Sequence, residues 1–121
     1  MKVKNYKELI VWQKAMNLAE LIHEVTRTFP REEIYGLTSQ IRRAAVSVPS
    51  NIAEGQARNS TAEFLNFLSI AQGSLAEVET QILLAIRFNY MLQSQAAPLL
   101  DLHDQIRKML FALRSKLLTT H

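Results

Sequence analysis

Apolar residues recur every three or four positions along almost the whole chain, and this rhythm restricts the fold more than any other feature. Leu9, Trp12, Met16, Ala19, Ile22, Val25 and Phe29 form one such series. Side chains at that spacing line one face of a helix, whereas strands need alternation by two. The series predicts a first helix over about 7–29, stopped by Pro30. A second series, Leu37, Ile41, Ala44 or Ala45, Val48 and Ile52, predicts a helix over about 34–57, with Gly36 and Gly55 as weak points near its ends. Ser60-Thr61-Ala62-Glu63 has the form of a capping box, in which the serine hydroxyl accepts from the Glu63 amide. A third helix over about 61–89 follows, with Phe64, Phe67 or Leu68, Ala71, Leu75, Val78, Ile82 and Ile86 inward. Ser94 is placed to cap a fourth over about 95–119, with Leu99, Leu102, Ile106, Met109 or Leu110, Leu113 and Leu117 inward. Pro98 then falls where first-turn amides lack partners anyway.

Short connections between four long helices force antiparallel neighbours, so the expected fold is all-α, an up-down-up-down four-helix bundle in one domain, 1–121. Only 3 Gly and 3 Pro leave an all-β chain with almost no turn chemistry, and 48% hydrophobic content supplies a core. The absence of Cys excludes a disulfide framework, a Cys-ligated zinc site and a thiol nucleophile. No apolar stretch approaches the ~20 residues of a membrane span, and the N-terminal residues lack a secretory apolar core, so the expected location is the cytoplasm.

The second helix carries a defect. Pro49 sits where an amide should donate to the carbonyl of Ala45, at a cost of ~3 kcal/mol or more. A bend is expected there, with the hydroxyl of Ser47 or Ser50, or a water, serving the freed carbonyl. Around it Gln40, Arg43, Ser47, Ser50 or Asn51, and Glu54 advance by three or four and share one side. Arg43 and Glu54 are separated by ~16 Å of rise and cannot pair within their own helix. The stripe serves a polar network within one subunit, a network between subunits, or a ligand site. Small residues Ala44, Ala45 and Ala53 here, and Ala71, Gly73, Ser74 and Ala76 on the third helix, imply close approach of the two axes. A glycine inside a helix costs ~1 kcal/mol relative to alanine, so Gly73 calls for a packing reason.

Catalytic chemistry is not recognisable. Glu20-Leu21-Ile22-His23 supplies one Glu-x-x-His, but a di-iron bundle needs two; Leu100 precedes His103 by three, and His121 is terminal. His23 is expected to pair with Glu20 or Glu24. Phosphate-cradling glycine loops and nucleophile elbows are missing from the sequence, and Glu54, Glu77 and Glu79 show no recognisable acid/base arrangement. No catalytic residue, metal ligand or cofactor is assigned. Trp12 and Met16 are expected in the core or a seam.

Fourteen Lys and Arg against eleven Asp and Glu give a formal charge of +3, with Lys2, Lys4 and Lys7 at one end and Arg107, Lys108, Arg114 and Lys116 near the other. This permits attraction to a polyanion but is weaker than a dense basic stripe.

The segments VWQKAMNLAELIHEVTRTFP, YGLTSQIRRAAVSVPSNIAEG and EFLNFLSIAQGSLAEVETQI, in that order, resemble a bacterial four-helix bundle family. The family is that of the 23S rRNA intervening-sequence proteins, which includes the accessory variability determinant of diversity-generating retroelements. The likeness spans about Tyr6 to Leu118, and its most specific part is Arg42-Arg43-Ala44-Ala45 through Ser50-Asn51-Ile52-Ala53-Glu54-Gly55, with Arg58, Gly73-Ser74 and Glu77. The resemblance implies a noncatalytic, cytoplasmic bundle assembled as a homopentameric ring. The retroelement relatives present a basic surface to nucleic acid and bind a reverse transcriptase. On that basis Arg42, Arg58, Arg87, Arg107, Lys108, Arg114 and Lys116 are the candidate contacts to RNA or DNA. Gln40, Arg43, Ser47, Pro49, Asn51, Glu54, Gly73, Ser74 and Glu77 are the candidates for shape and assembly. The alternative is a protein-interaction scaffold without nucleic-acid affinity.

Overall fold

A computed structural model describes residues 5–119. The chain is all-α, with four α-helices and no strand among the described residues: α1 (Ile10–Val25), α2 (Leu37–Gln56), α3 (Thr61–Arg87) and α4 (Gln93–Thr119). Single 3-10 turns precede α1 at Tyr6–Glu8, follow it at Thr26–Thr28, and lie ahead of α2 at Arg31–Glu33.

Helix ends follow their capping chemistry. Ser60 Oγ accepts from the Glu63 amide at 3.1 Å and starts α3. Past α3, Asn89 turns left-handed at φ 63°, and the amides of Asn89 and Tyr90 donate to the carbonyls of Ile86 and Ala85. That pair of bonds is a Schellman motif, with asparagine supplying the left-handed residue. Glu33 caps α2 from outside: Oε1 accepts from the Leu37 amide at 3.0 Å while Oε2 accepts from the Tyr90 hydroxyl at 2.8 Å. The Leu37 bond first and the Tyr90 bond second hold the Glu33 carboxyl below its ordinary range, and donation to that carboxylate raises the Tyr90 phenol.

The expected starts and stops shift by two to four residues at several ends: α1 begins at Ile10 rather than 7 and α2 at Leu37 rather than 34, each behind a separate 3-10 turn. The first helix ends at Val25, where the chain turns in 3-10 form ahead of Pro30 and the Thr26 hydroxyl donates to the Ile22 carbonyl at 2.7 Å. The fourth begins at Gln93, not after a Ser94 cap; Gln95 Oε1 accepts from the Leu92 amide instead, and Pro98 lies inside the helix.

One core joins the four helices through Ile22, Ile41, Val48, Ile52, Leu68, Leu75, Val78, Ile82, Leu99, Ile106 and Leu110. The inward faces of α2, α3 and α4 are the ones the spacing marks. That of α1 is rotated by about one residue: Val11, Ala15, Leu18 and Ile22 are buried, while Trp12 and Ala19 are only partly so and Met16 is 45% exposed. The helix is apolar on two adjoining faces, and the series read from Trp12 follows the outer one.

The helices α2 and α3 meet closely, at Gly55 rather than Gly73. A Cβ on Gly55 would stand 2.8 Å from Phe67 Cβ and 2.9 Å from Phe64 Cδ1, whereas one on Gly73 would meet nothing within 4 Å. Gly73 therefore has no packing reason among the described residues. Buried His103 ties α4 to α3, its Nε2–H donating to the Leu75 carbonyl at 2.9 Å. Lys14 on α1 donates to Gln105 on α4 at 2.7 Å.

Candidate interaction surfaces

The polar stripe of α2 divides into three parts. At its centre Ser47 Oγ and Ser74 Oγ are 2.8 Å apart, and Asn51 Nδ2 donates to both the Ser47 carbonyl and Ser47 Oγ, at 2.8 and 2.9 Å. This is a network within the subunit that fixes α2 against α3. Below it Glu54 pairs with Arg58 one turn on, at 2.9 Å, and the Arg58 guanidinium lies 4.9 Å from the centre of the Phe67 ring. Above it Gln40 and Arg43 open onto a pocket of about 430 Å³, shared with Glu77, Gln81 and Tyr35. The pocket is lined chiefly by polar groups, and among the described residues neither Arg43 nor Glu77 has an ion-pair partner.

On the other side of α2, Pro49 is buried and α2 continues through it as one helix. The Ser50 hydroxyl donates to the Val46 carbonyl at 2.8 Å, and that of Ser47 is engaged by Ser74, so neither is the expected partner of the Ala45 carbonyl. With Val46, Ser50 and Ala53, Pro49 forms one wall of a groove of about 710 Å³; Tyr6, Trp12, Met16 and Ala19 form the other. The Tyr6 and Trp12 rings meet edge to face at 5.3 Å. Val46 is 56% exposed at the rim. The groove is thus a mainly apolar channel between α1 and α2, with Asn17 and Glu20 also on its α1 side and Tyr6 reaching in from the turn before α1.

The cations are mostly engaged. Arg42 Nε donates to Thr26 Oγ1 at 2.8 Å and its NH2 to the His23 carbonyl at 3.3 Å, which makes it a clamp between α2 and the end of α1. Arg107 and Lys108 both pair with Asp104, whose carboxyl they lower below its ordinary range, chiefly through the Arg107 hydrogen bond. Partly buried Arg114 donates to Gln72 at 2.6 Å, and its Nε has no acceptor. Arg87 and Lys116 are exposed and make no ion pair among the described residues. Lys2, Lys4 and His121 lie outside the described residues. Glu24 pairs with Arg27 at 3.1 Å rather than with His23. Among the described residues no group of three or more potential ligands could hold a metal, and no helix is long and apolar enough to cross a membrane.

The Leu75–His103 bond and the buried Gln81 leave no signal in the sequence, since each depends on which helices adjoin. The Trp12 groove was visible as an apolar series, but not as an outer one.

Four helices about one core, with an apolar groove on one flank of α2 and a polar pocket on the other, define an all-α protein whose distinctive chemistry lies on its outer faces. The chain belongs to the 23S rRNA-intervening sequence protein family, whose model matches residues 7–112. The crystal structure of a protein of unknown function of the S23 ribosomal protein family, from Bacteroides thetaiotaomicron, is similar to it. The two superpose with a TM-score of 0.78 at 26% identity, over 87% of this chain and 98% of that one. None of the curated proteins matches the chain.

Proposed function

We propose that this chain is a noncatalytic, cytoplasmic protein that assembles with copies of itself into a ring of five and presents its free cations to nucleic acid or a nucleoprotein. Within the subunit the helices run up-down-up-down. The pairs Ser47–Ser74 and Gly55–Phe64 support this, since position along α2 rises as position along α3 falls. The observation that carries the assembly is the Pro49 groove: a second apolar face on α1 is only partly covered by the chain's own core, and Met16 and Val46 stand exposed along it over buried Pro49. An apolar groove between two rigid helices gains from burial at ~25 cal/mol per Å² covered. Pro49 serves it by fixing the wall of the groove.

Nucleic-acid contact rests on fewer groups than the sequence offers, because Arg42, Arg58, Arg107, Lys108 and Arg114 are held by neighbours. Arg87 and Lys116 remain, and a ring multiplies them fivefold. That same engagement of cations favours the second reading, a scaffold for proteins such as a reverse transcriptase, with no nucleic-acid affinity. Titrating single-stranded RNA and duplex DNA into the protein at 50 and 200 mM salt separates the two. Binding that weakens steeply with salt supports the proposal; absent or salt-insensitive binding supports the scaffold. Val46→Glu, which adds charge to the groove rim, should leave the subunit folded and reduce its solution mass.

A further inference from the structure

The polar pocket between α2 and α3 gathers groups that the fold itself leaves unused. Gln81 is only 9% exposed, and its Oε1, itself shut off from solvent, meets no hydrogen-bond donor among the described residues. A buried amide oxygen without a partner is costly, so something is expected to meet it. One turn earlier on α3, Glu77 exposes a carboxylate into the same pocket, and Arg43 borders it from α2. Among the described residues they do not pair with each other or with any other charged group. At the rim Tyr35 is 95% exposed and makes no ring contact among the described residues.

We infer that this pocket takes a single unpaired guanine base. Two acceptors one helical turn apart, a carboxylate and an amide oxygen, call for a ligand with adjacent donors. Guanine offers N1–H and the N2 amino group side by side, with O6 next to them as an acceptor for a guanidinium. The terminal torsion of a glutamine is broad, so turning Oε1 of Gln81 toward the ligand is inexpensive. Tyr35 gives the ring an aromatic face to stack on, the usual way an unstacked base is held. Adenine presents an amino group beside a bare ring nitrogen, which would face the Glu77 carboxylate with like polarity. A paired guanine has this edge occupied, so the pocket selects single strands. At about 430 Å³ it falls within the range of small-molecule sites. This inference rests on the nucleic-acid reading above and adds to it a base contact, which phosphate contacts cannot supply.

The test follows the side-chain amide of Gln81 and the Tyr35 ring by NMR in the full chain, titrated with GMP and separately with AMP. The expected result is saturable GMP shifts at both residues, AMP weaker by about tenfold or more, and a similar loss for GMP in Glu77→Gln, as one bidentate base contact implies. Salt-dependent binding of oligo(U) should be unchanged in that variant. Silence at Gln81 with GMP, equal response to the two nucleotides, or indifference to Glu77→Gln overturns the inference. Oligo(U) binding with GMP silent defeats the pocket alone, whereas absence of both defeats the nucleic-acid reading as well. A change of solution mass in Glu77→Gln with unchanged GMP response assigns the pocket to a second copy of the chain and also overturns it.

Discussion

Replacing each of two helical glycines by alanine should move stability in opposite directions. Gly73→Ala adds a methyl group where nothing lies within 4 Å. It gains the helix preference of alanine and loses nothing, so the isolated subunit should be more stable by about 0.5–1 kcal/mol. Gly55→Ala places its Cβ 2.8 Å from Phe67 Cβ and 2.9 Å from Phe64 Cδ1. The Phe67 atom is the stem of a side chain rather than its flexible end, so α2 and α3 must part slightly. Overpacking of this kind costs about 1–3 kcal/mol. Alanine returns little, because Gly55 lies in the last turn of α2. A net loss of about 2 kcal/mol follows. For a chain of this length 1 kcal/mol corresponds to roughly 4 °C, so the midpoints should separate by about 10 °C. Thermal and urea unfolding in the Val46→Glu background removes assembly from the comparison. Shifts of both variants in the same direction, or a destabilising Gly73→Ala, would refute the reasoning. A Gly73→Ala that stabilises this background yet lowers the mass of the unaltered protein would place the glycine at a contact between subunits.

Pro49→Ala should restore a bond to the Ala45 carbonyl, worth ~3 kcal/mol before the loss of the buried ring, and raise the urea midpoint; the altered groove wall should lower the mass seen by sedimentation. Arg42→Ala should cost ~1–3 kcal/mol through two lost hydrogen bonds, whereas Arg87→Ala should leave unfolding unchanged and reduce the salt slope of RNA binding by about 1. Tyr90→Phe isolates the tie to Glu33. The Glu33 carboxyl is lowered by folding from 4.5, so its contribution is present above that value and fades as pH falls through its folded pKa. The Tyr90 phenol is raised from 10.0, so its contribution is present below that value and fades as pH rises through its folded pKa. The stability difference between Tyr90→Phe and the parent should be level near neutrality and shrink at both extremes of a pH series.

Much of this was legible in the residues themselves. The Ser60 cap and the inward faces of α2, α3 and α4 follow from local rules, because each depends on spacing or on a side chain three positions away. The inner face of α1 does not, since Val11-Ala15-Leu18-Ile22 and Trp12-Met16-Ala19 both have helical spacing, and only the neighbours decide between them. In sequence Gly73 is the glycine that asks for close packing and Gly55 only a weak point near a helix end, and what stands opposite reverses the two. The cations were the least legible: a long side chain such as Arg42 or Arg114 settles on whatever acceptor the next helix offers. Ser47, Ser74 and Asn51 were marked as one polar set, but their mutual bonds needed the register of α2 on α3.

Light scattering on the unaltered protein is the most direct measurement of whether the outer apolar face of α1 is built for another copy of the chain. A mass of about five times 13.8 kDa that falls toward 13.8 kDa in Val46→Glu is the predicted result. A single-chain mass at micromolar concentration, with the groove open to solvent, would contradict it.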